Sequence, residues 1–190
     1  MSDAPAGLIL AAGAGRRFGG TKQLADLHGR PLLEHAIHNM LAVERLDPVV
    51  VVLGHAAREI LARVDLGEAE VVIAAEWERG QASSLRRGIA ALEDAETVVI
   101  TLGDQPLITP RVIAGALEQL TDGYDAVRAT YGGAPGHPVV LSRRVMDAVG
   151  ELDGDVGARE LLRRFRVREW EAGHLGNAAD VDTREELSAL

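Results

Sequence analysis

Residues 8–24, LILAAGAGRRFGGTKQL, join a short apolar run to a glycine-rich segment containing Lys22, the single lysine of a chain with 20 basic residues. The apolar run Gly7–Leu10 predicts a short buried strand. In an open α/β sheet, ligands bind beyond the carboxyl ends of the strands. We therefore expect the loop from Ala11 to Lys22 to form the ligand-binding edge of a sheet.

Apolar runs and helical patterns alternate along the rest of the chain. The predicted strands are Gly7–Leu10, Val49–Leu53, Val71–Ala74, Val98–Leu102, Ala126–Thr130, Pro138–Leu141 and Val167–Trp170. The predicted helices are Pro31–Val43, Ala56–Val64, Ser83–Leu92, Thr109–Leu120, Gly157–Phe165 and Thr183–Leu190. Strands without polar alternation are buried on both faces, as in a parallel sheet covered by helices. We expect one three-layer α/β/α, Rossmann-like domain over residues 1–190, with a mostly parallel central sheet.

The composition limits the partners of the chain. A net charge of −9 gives no general attraction to nucleic acid or to anionic membranes. The absence of cysteine excludes disulfides and thiolate metal sites. The N-terminus lacks a basic signal segment, and no run approaches the roughly 20 apolar residues of a membrane span. We expect a soluble, cytoplasmic protein that binds neither nucleic acid nor membrane.

The loop after the first predicted strand has the composition of a polyphosphate site. Its glycines, which let backbone N–H groups approach an anion, are Gly13, Gly15, Gly19 and Gly20. Its cations are Arg16, Arg17 and Lys22. A nucleoside triphosphate is the ligand that this combination favours, and an ordinary strand-to-helix turn with a solvated lysine is the alternative.

Two familiar nucleotide loops do not match this segment. The dinucleotide fingerprint requires glycine where Phe18 stands. The Walker pattern requires lysine directly after the second glycine, but Thr21 follows Gly20. The remaining possibility is a glycine-rich turn that wraps a nucleoside triphosphate from which pyrophosphate leaves.

The stretch LAAGAGRRFGGTKQL resembles the signature of the MobA-like NTP transferase family, and its Leu-Ala-Ala-Gly start is similar to the molybdenum cofactor cytidylyltransferase branch. The resemblance implies a nucleotidyltransferase fold whose N-terminal half binds nucleotide and whose C-terminal half binds an acceptor. The nucleotide-binding residues that it implies in the loop are Leu10, Ala11, Ala12, Gly13, Gly15, Arg16, Arg17 and Lys22. Arg17 and Lys22 are also catalytic by this match, because they contact the phosphates as pyrophosphate departs.

Asp104 follows the predicted strand Val98–Leu102 by two residues, in the stretch LGDQP. A carboxylate at this edge suits Mg²⁺, which prefers oxygen ligands, although an Asx turn before Pro106 is an equal alternative. LGDQP resembles the segment of the same family whose aspartate binds Mg²⁺. The resemblance therefore assigns Asp104 to catalysis, to nucleotide binding and to the metal.

The C-terminal stretch ADVDTREEL, residues 179–187, contributes a second carboxylate. It resembles the family's ending, with Arg184 in place of the usual proline, and this match makes Asp182 the second Mg²⁺ ligand. Asp180, two residues earlier, is a less favoured metal ligand, because one pair of carboxylates is enough to bridge the metal and the phosphates. The alternative is that Asp182 or Thr183 only caps the last helix.

Three further segments supply candidates for the base and the acceptor. In GQASSLRRG, residues 80–88, the resemblance makes Gln81 and Ser83 nucleotide-binding residues near the base, whereas capping of a helix by Ser83 or Ser84 is the alternative. In GGAPGHP, the resemblance makes His137 an acceptor candidate, with a purely structural histidine as the alternative. In GDVGAR, Asp155 and Arg159 are acceptor candidates, with a helix cap at Asp155 as the alternative.

These residues together predict an Mg²⁺-dependent nucleotidyltransferase that moves CMP from CTP to a phosphorylated acceptor and releases pyrophosphate. The resemblance makes molybdopterin carrying molybdenum the leading acceptor and implies transient contact with a molybdoenzyme maturation partner. The same chemistry on methylerythritol phosphate or a sugar phosphate is one alternative. A nucleotide-binding module without turnover is another, which a second carboxylate disfavours.

Overall fold

The computed structural model describes residues 4–152 and 158–190 and centres on a seven-stranded sheet. The strands are β1 (Ala6–Ala11), β2 (Asp26–Leu27), β3 (Arg30–Pro31), β4 (Val49–Leu53), β5 (Glu70–Ile73), β6 (Thr97–Leu102), β7 (Ala126–Tyr131), β8 (Ala134–Ser142) and β9 (Val167–Glu171). The helices are α1 (Leu32–Leu41), α2 (Ala57–Leu61), α3 (Gln81–Ala90), α4 (Pro110–Glu118), α5 (Arg143–Ala148), α6 (Ala158–Leu162) and α7 (Arg184–Ser188). Strands β2 and β3 form a separate two-stranded sheet.

The large sheet has the strand order β5-β4-β1-β6-β8-β7-β9. Strands β5, β4, β1 and β6 pair in parallel, and β7 pairs in parallel with β9. Strand β8 runs antiparallel to both of its neighbours, β6 and β7. The prediction of a mostly parallel sheet is therefore confirmed, with one reversed strand near its C-terminal side.

Helices cover both faces of the sheet and produce the predicted three layers. Successive residues of β1 point to opposite faces, so Ile9 joins a core cluster with Leu33 of α1, whereas Leu8 joins one with Leu85 of α3. Both β1 side chains are fully buried. Each such aliphatic side chain contributes about 1.5–3 kcal/mol relative to an exposed one, which explains how a chain poor in aromatics builds its core.

The predicted strands and helices are present with small shifts in their ends, and the exceptions have local causes. Helix α3 begins two residues before Ser83, because Gly80, at a φ of 107°, supplies the turn into the helix. Neither Ser83 nor Ser84 caps it, so the capping alternative for these serines is wrong. Strand β8 begins at Ala134, earlier than predicted, because the pairing of β7 with β8 continues to the hairpin tip.

Helix α5 and the small β2–β3 sheet were not predicted from sequence. Helix α5 follows β8 directly, and its six residues are too few to show a clear helical period. The β2–β3 pair has only two residues in each strand, and it ends at Pro31, the residue before α1.

The register of the sheet brings two predicted site segments to the same edge. Leu10 of β1 pairs with Leu102 of β6, so the loop after β1 and Asp104 after β6 leave the sheet side by side. Because β8 is reversed, its beginning, near Ala134, lies at this edge as well. No helix within residues 4–152 and 158–190 is long and apolar enough to cross a membrane.

Candidate functional site

The conformation of the glycine loop requires glycine at position 15 and is held by a buried amide. Gly15 has a φ of +59°, and a Cβ there would lie 2.5 Å from the carbonyl oxygen of Gly20. The Nε2 of Gln23, which is 3% exposed, donates to the carbonyl oxygens of Ala11 and Gly13 at 2.9 Å each. Sequence reasoning missed Gln23, although it directly follows Lys22 in the motif.

Lys22 lies between the two predicted metal ligands. Its Nζ donates a short hydrogen bond to Oδ2 of Asp104 and another, at 3.1 Å, to Oδ1 of Asp182. The Lys22 side chain is 12% exposed, whereas those of Asp104 and Asp182 are 18% and 25% exposed. One ammonium group therefore joins residues from the beginning, the middle and the end of the chain.

Electrostatics keep Lys22 charged in this position. Burial lowers the pKa of Lys22, but the charges and hydrogen bonds of Asp104 and Asp182 outweigh it and raise that pKa above its ordinary value of 10.5. The other oxygen of Asp182, Oδ2, forms an ion pair with Nη2 of Arg17, at 2.7 Å. Arg17 is 77% exposed, so its ion pair is weak and easily exchanged for a ligand anion.

Backbone contacts position Asp182 for this role. The N–H of Val181 donates to the carbonyl oxygen of Asp104 at 3.0 Å, and the Val181 side chain is buried in a cluster with Phe18 and Leu32. These contacts fix the C-terminal segment beside the end of β6. Asp104 and Asp182 thus lie close together although they are far apart in the sequence.

The last helix is capped by Thr183 rather than by Asp182. The Thr183 Oγ1 accepts from the Glu186 N–H at 3.2 Å, and Glu186 Oε2 accepts from the N–H groups of Asp182 and Thr183 at 2.7 and 2.8 Å. The carboxylate of Asp182 is thereby left to face Lys22. Arg184, which replaces the family's proline, begins α7 and places its guanidinium 5.0 Å from the centre of the Phe18 ring.

Asp180 lies close to the cluster without joining the lysine. Its Oδ1 accepts from Nε2 of the buried Gln105 at 2.6 Å. Burial raises the pKa of Asp180, and the charge of Asp104 raises it further. Asp180 is therefore held by Gln105 and interacts with the pair only through its charge.

The carboxylate pair suits a divalent cation. Oδ1 of Asp104 is buried and, among the residues described, has no hydrogen-bond partner. Both aspartates already share one cation, the Lys22 ammonium. The described ranges contain no group of three or more metal-binding side chains. A metal here would therefore rely on two carboxylates and on oxygens of a bound ligand, as Mg²⁺ commonly does.

A histidine and a tryptophan that sequence reasoning missed lie between the loop and α3. The N–H of His55 donates to the carbonyl oxygen of Ala12 at 3.0 Å, and the His55 and Trp77 rings meet edge to face with centroids 5.2 Å apart. Gly54 permits this approach, because a Cβ there would lie 2.7 Å from Trp77. Of the predicted base contacts, Gln81 is exposed at the start of α3, and Ser83 is buried.

The predicted acceptor residues have different surroundings. Burial lowers the pKa of the His137 imidazole to about 4, and the charge of Asp104 opposes this shift, so His137 lies within electrostatic reach of Asp104. Arg159 lies on α6, in a separate cleft with Arg128 and Arg163. Asp155 lies outside the described residues.

Glu171, at the end of β9, fixes the tip of the β7–β8 hairpin and was also missed. Its carboxylate accepts from the N–H groups of Gly132, Gly133 and Gly173 at 3.0–3.2 Å and from the hydroxyl of Thr130 at 3.0 Å. The hydrogen bonds from Gly132 and Gly133 lower the pKa of Glu171. The hairpin tip at the ligand edge therefore has a defined conformation.

The curated relatives that match this chain include an oxidoreductase and a bifunctional protein. Nicotine blue oxidoreductase of Paenarthrobacter nicotinovorans is 33% identical over 194 residues, covering 97% of this chain and 95% of that protein. The bifunctional protein GlmU of Streptomyces griseus subsp. griseus is 33% identical over 150 residues. That match covers 75% of this chain but only 28% of GlmU, so this chain corresponds to less than a third of that protein.

Solved structures share the fold. Rv0371c of Mycobacterium tuberculosis superposes with a TM-score of 0.83 at 29% identity, covering 100% of this chain and 98% of that one. A manganese complex of Rv0371c superposes with a TM-score of 0.73 at 28% identity over 90% and 89% of the two chains. The molybdopterin-guanine dinucleotide biosynthesis protein A of Archaeoglobus fulgidus, at 20% identity, has a TM-score of 0.73 over 96% and 95%.

The family assignment rests on the N-terminal loop, the sheet and most of the C-terminal half together. A family model described as the MobA-like NTP transferase domain matches residues 7–170, which include the glycine loop, Lys22 and Asp104. The predicted resemblance is thereby confirmed over the strands that build the site. The chain belongs to the MobA-like NTP transferase family.

Proposed function

We propose that this chain, acting as one domain over residues 1–190, is a metal-dependent nucleotidyltransferase that transfers CMP from CTP to a phosphorylated acceptor and releases pyrophosphate. The observation that carries the proposal is the position of Lys22, bonded to both Asp104 and Asp182 beside a glycine loop. A triphosphate needs cations and backbone N–H donors, and a divalent metal needs carboxylates. Both sets lie at one edge of the sheet.

Asp104 and Asp182 would hold Mg²⁺, which when bound would supply a Lewis acid for the phosphate oxygens. The unpartnered Oδ1 of Asp104 supports this assignment. The manganese complex of Rv0371c, a structural relative at 28% identity, agrees with use of a divalent metal in this fold.

The loop and its cations would bind the triphosphate. The backbone N–H groups around Gly13 would approach the phosphates, since nothing lies within 4 Å of the position of a Cβ there. Arg17 and Lys22 would release Asp182 and donate to phosphate oxygens instead. Charge on the departing pyrophosphate would then be stabilised by groups already in position, which is usually the largest catalytic contribution.

The transfer itself needs no enzyme nucleophile. An ionised oxygen of the acceptor phosphate would attack the α-phosphorus of CTP, forming a new P–O bond as the bond to the α,β-bridging oxygen breaks. Pyrophosphate takes the bonding electrons and leaves towards Lys22. The attacking oxygen is already deprotonated at neutral pH, so a strong general base is unnecessary.

The base and the acceptor are proposed from the start of the loop and from the C-terminal half. The Leu-Ala-Ala-Gly start of the loop favours CTP, with Gln81 and Ser83 as base contacts. The acceptor would occupy the C-terminal half near His137, Asp155 and Arg159. Molybdopterin carrying molybdenum is the first acceptor to test, in a cytoplasmic setting with transient contact to a molybdoenzyme maturation partner. A sugar phosphate or methylerythritol phosphate is the alternative acceptor.

Pyrophosphate release tests the proposal. The protein, Mg²⁺ and each of CTP, GTP, ATP and UTP would be combined with molybdopterin, with methylerythritol phosphate or with a hexose 1-phosphate. We expect release to require both CTP and molybdopterin. Preference for GTP would contradict the cytidylyl assignment, and nucleotide binding without release from any acceptor would favour a carrier module.

A second candidate function, oxidation–reduction, is favoured by the 33% identity to nicotine blue oxidoreductase over 97% of this chain. Hydride transfer requires a nicotinamide or flavin cofactor. Phe18 stands where the dinucleotide fingerprint requires glycine, and redox chemistry gives no role to a lysine between two aspartates. Consumption of NADH or NADPH with nicotine blue would support this candidate, whereas we expect none.

A further inference from the structure

We propose that Gln23 is a positioning residue that gives the glycine loop its polarity. Its side-chain amide turns two carbonyl oxygens of the loop inward, so that the backbone N–H groups of Ala12 and Ala14 face the bound polyphosphate. The inference rests on the proposed function, because it explains how the loop would hold a triphosphate. It assigns to a buried, uncharged side chain the direction of the donors that a phosphate needs.

The orientation of the Gln23 amide is set by its two hydrogen bonds. The side chain is 3% exposed, and its Nε2 donates to the carbonyl oxygens of Ala11 and Gly13 at 2.9 Å each. The opposite orientation would place an oxygen against two oxygens, so only the NH₂ end can lie there. Its Oε1 is consequently buried without a hydrogen-bond partner in the described ranges. Buried polar atoms are ordinarily paired, so the two bonds to the loop outweigh an unsatisfied acceptor.

The carbonyl oxygens at the start of the loop are held by the protein on one side of the backbone. Gln23 holds two of them, and the Ala12 carbonyl accepts from the His55 N–H at 3.0 Å. A trans peptide unit is planar, and its N–H points opposite to its C=O. Holding the carbonyls of residues 11–13 therefore fixes the direction of the N–H groups of residues 12–14, each of which points away from the group that holds its peptide unit.

The N–H groups of this stretch are left without protein partners. Neither Ala12 nor Ala14 donates to any oxygen of residues 4–152 and 158–190. Ala12 is only 6% exposed, and buried N–H groups are ordinarily paired, so its N–H lacks the partner that a ligand would provide. Nothing lies within 4 Å of the position of a Cβ at Gly13, between the two alanines. The loop thus combines engaged carbonyls with free donors beside open space, which suits an anion.

One 3₁₀ turn, Lys22–Leu24, carries both the lysine and the glutamine. Successive residues of such a turn are about 120° apart, so neighbouring side chains point in different directions. Lys22 reaches the two aspartates of the site, whereas Gln23 reaches the carbonyl oxygens of the loop. The two adjacent residues therefore have separate roles, since Lys22 supplies the charge and Gln23 directs the backbone donors.

Binding of tripolyphosphate, which has the phosphates of a nucleoside triphosphate but no base, tests this role. Its affinity for the wild type, Gln23→Met and Gln105→Met would be measured by calorimetry without metal or acceptor. Gln105 is the matched control, because it is also 3% exposed and its Nε2 also donates to a backbone carbonyl, that of Ala178. We expect Gln23→Met to bind tripolyphosphate about tenfold more weakly, and Gln105→Met to bind it like the wild type.

Two-dimensional ¹⁵N–¹H NMR adds a measurement that a purely structural role would not affect. In the wild type, the side-chain amide protons of Gln23 should exchange slowly with water, and tripolyphosphate should shift the backbone amide signals of Ala12 and Ala14. In Gln23→Met those two signals should no longer respond, while the signals of the sheet keep their positions. The measurements on the wild type test the proposal even where the variant fails to fold.

Rapid exchange of the Gln23 side-chain amide, equal affinity of the wild type and Gln23→Met, or no tripolyphosphate binding by the wild type would overturn the role of Gln23. An equal loss of affinity in Gln105→Met would do the same, because removal of any buried amide would then be sufficient. The nucleotidyltransferase proposal would survive these results if pyrophosphate release persisted. Conversely, tripolyphosphate binding that depends on Gln23, without pyrophosphate release from any acceptor, would keep this role and remove the proposed reaction.

Discussion

Lys22 Nζ lies 3.1 Å from Asp182 Oδ1, although 160 residues separate them in the chain. The same ammonium is bonded to Asp104, so both carboxylates are paired with a cation of the chain itself. A metal and a triphosphate would therefore compete with internal ion pairs. Binding of the two ligands is expected to be coupled, because phosphate draws Lys22 away from the carboxylates that the metal needs.

Replacing Lys22 by Met should raise metal affinity and lower turnover. Removal of the ammonium frees both carboxylates, so Mn²⁺ binding without nucleotide, followed by electron paramagnetic resonance, should tighten by about tenfold. Pyrophosphate release should fall by at least about a hundredfold, because the leaving group loses its cation. The exposed Arg45→Met is the control for both measurements. Unchanged Mn²⁺ affinity would show that the lysine does not restrict the metal.

Replacing Asp104 by Asn should abolish metal-dependent turnover and preserve the fold. The amide keeps one oxygen acceptor for Lys22 but loses the charge that attracts a divalent ion. We expect pyrophosphate release to fall by roughly a thousandfold, since a bound metal contributes several kcal/mol to the transition state. Circular dichroism should match the wild type. Normal turnover at ordinary Mg²⁺ would remove Asp104 from the mechanism.

Two glycines of the loop should respond differently to alanine. Gly15→Ala combines a φ of +59° with a Cβ only 2.5 Å from the Gly20 carbonyl oxygen, so the free energy of unfolding should fall by about 2 kcal/mol or more. Gly13→Ala meets nothing within 4 Å and should unfold normally. If phosphate approaches Gly13, CTP affinity should nevertheless fall. Thermal unfolding and calorimetric CTP titration check the pair, and normal CTP affinity of Gly13→Ala would contradict the assigned contact.

Acid should destabilise the fold partly through His137. Its folded pKa of about 4 lies below the ordinary 6.5, so the unfolded chain binds the extra proton as pH falls through that interval. The free energy of unfolding should therefore decrease from pH 6.5 to 4, by at most about 3 kcal/mol from this residue. Urea titrations of His137→Gln should show a shallower decrease. An identical slope in both proteins would indicate that His137 is accessible to protons in the folded state.

The alternation of apolar runs with helical patterns was enough to predict the sheet, because strands such as Val49–Leu53 are buried along their whole length. The loop motif likewise identified Lys22. Side chains whose role depends on distant pairing gave no comparable signal. Glu171 accepts hydrogen bonds from a hairpin tip some 40 residues away in sequence. Gln23 donates to backbone oxygens, and no sequence motif marks a residue with that role. Such contacts follow from the fold and are absent from local periodicity.

The reversed direction of β8 has a consequence for the surface beside the site. If β8 ran parallel to its neighbours, it would begin at the opposite edge of the sheet, and the turn before it would lie away from Lys22 and Asp104. The reversed direction instead places a glycine turn at the edge of the sheet where Asp104 lies, and Glu171 accepts hydrogen bonds from that turn. Changes in the length or sequence of that turn would alter the surface beside Asp104 and leave the loop that carries Lys22 unchanged.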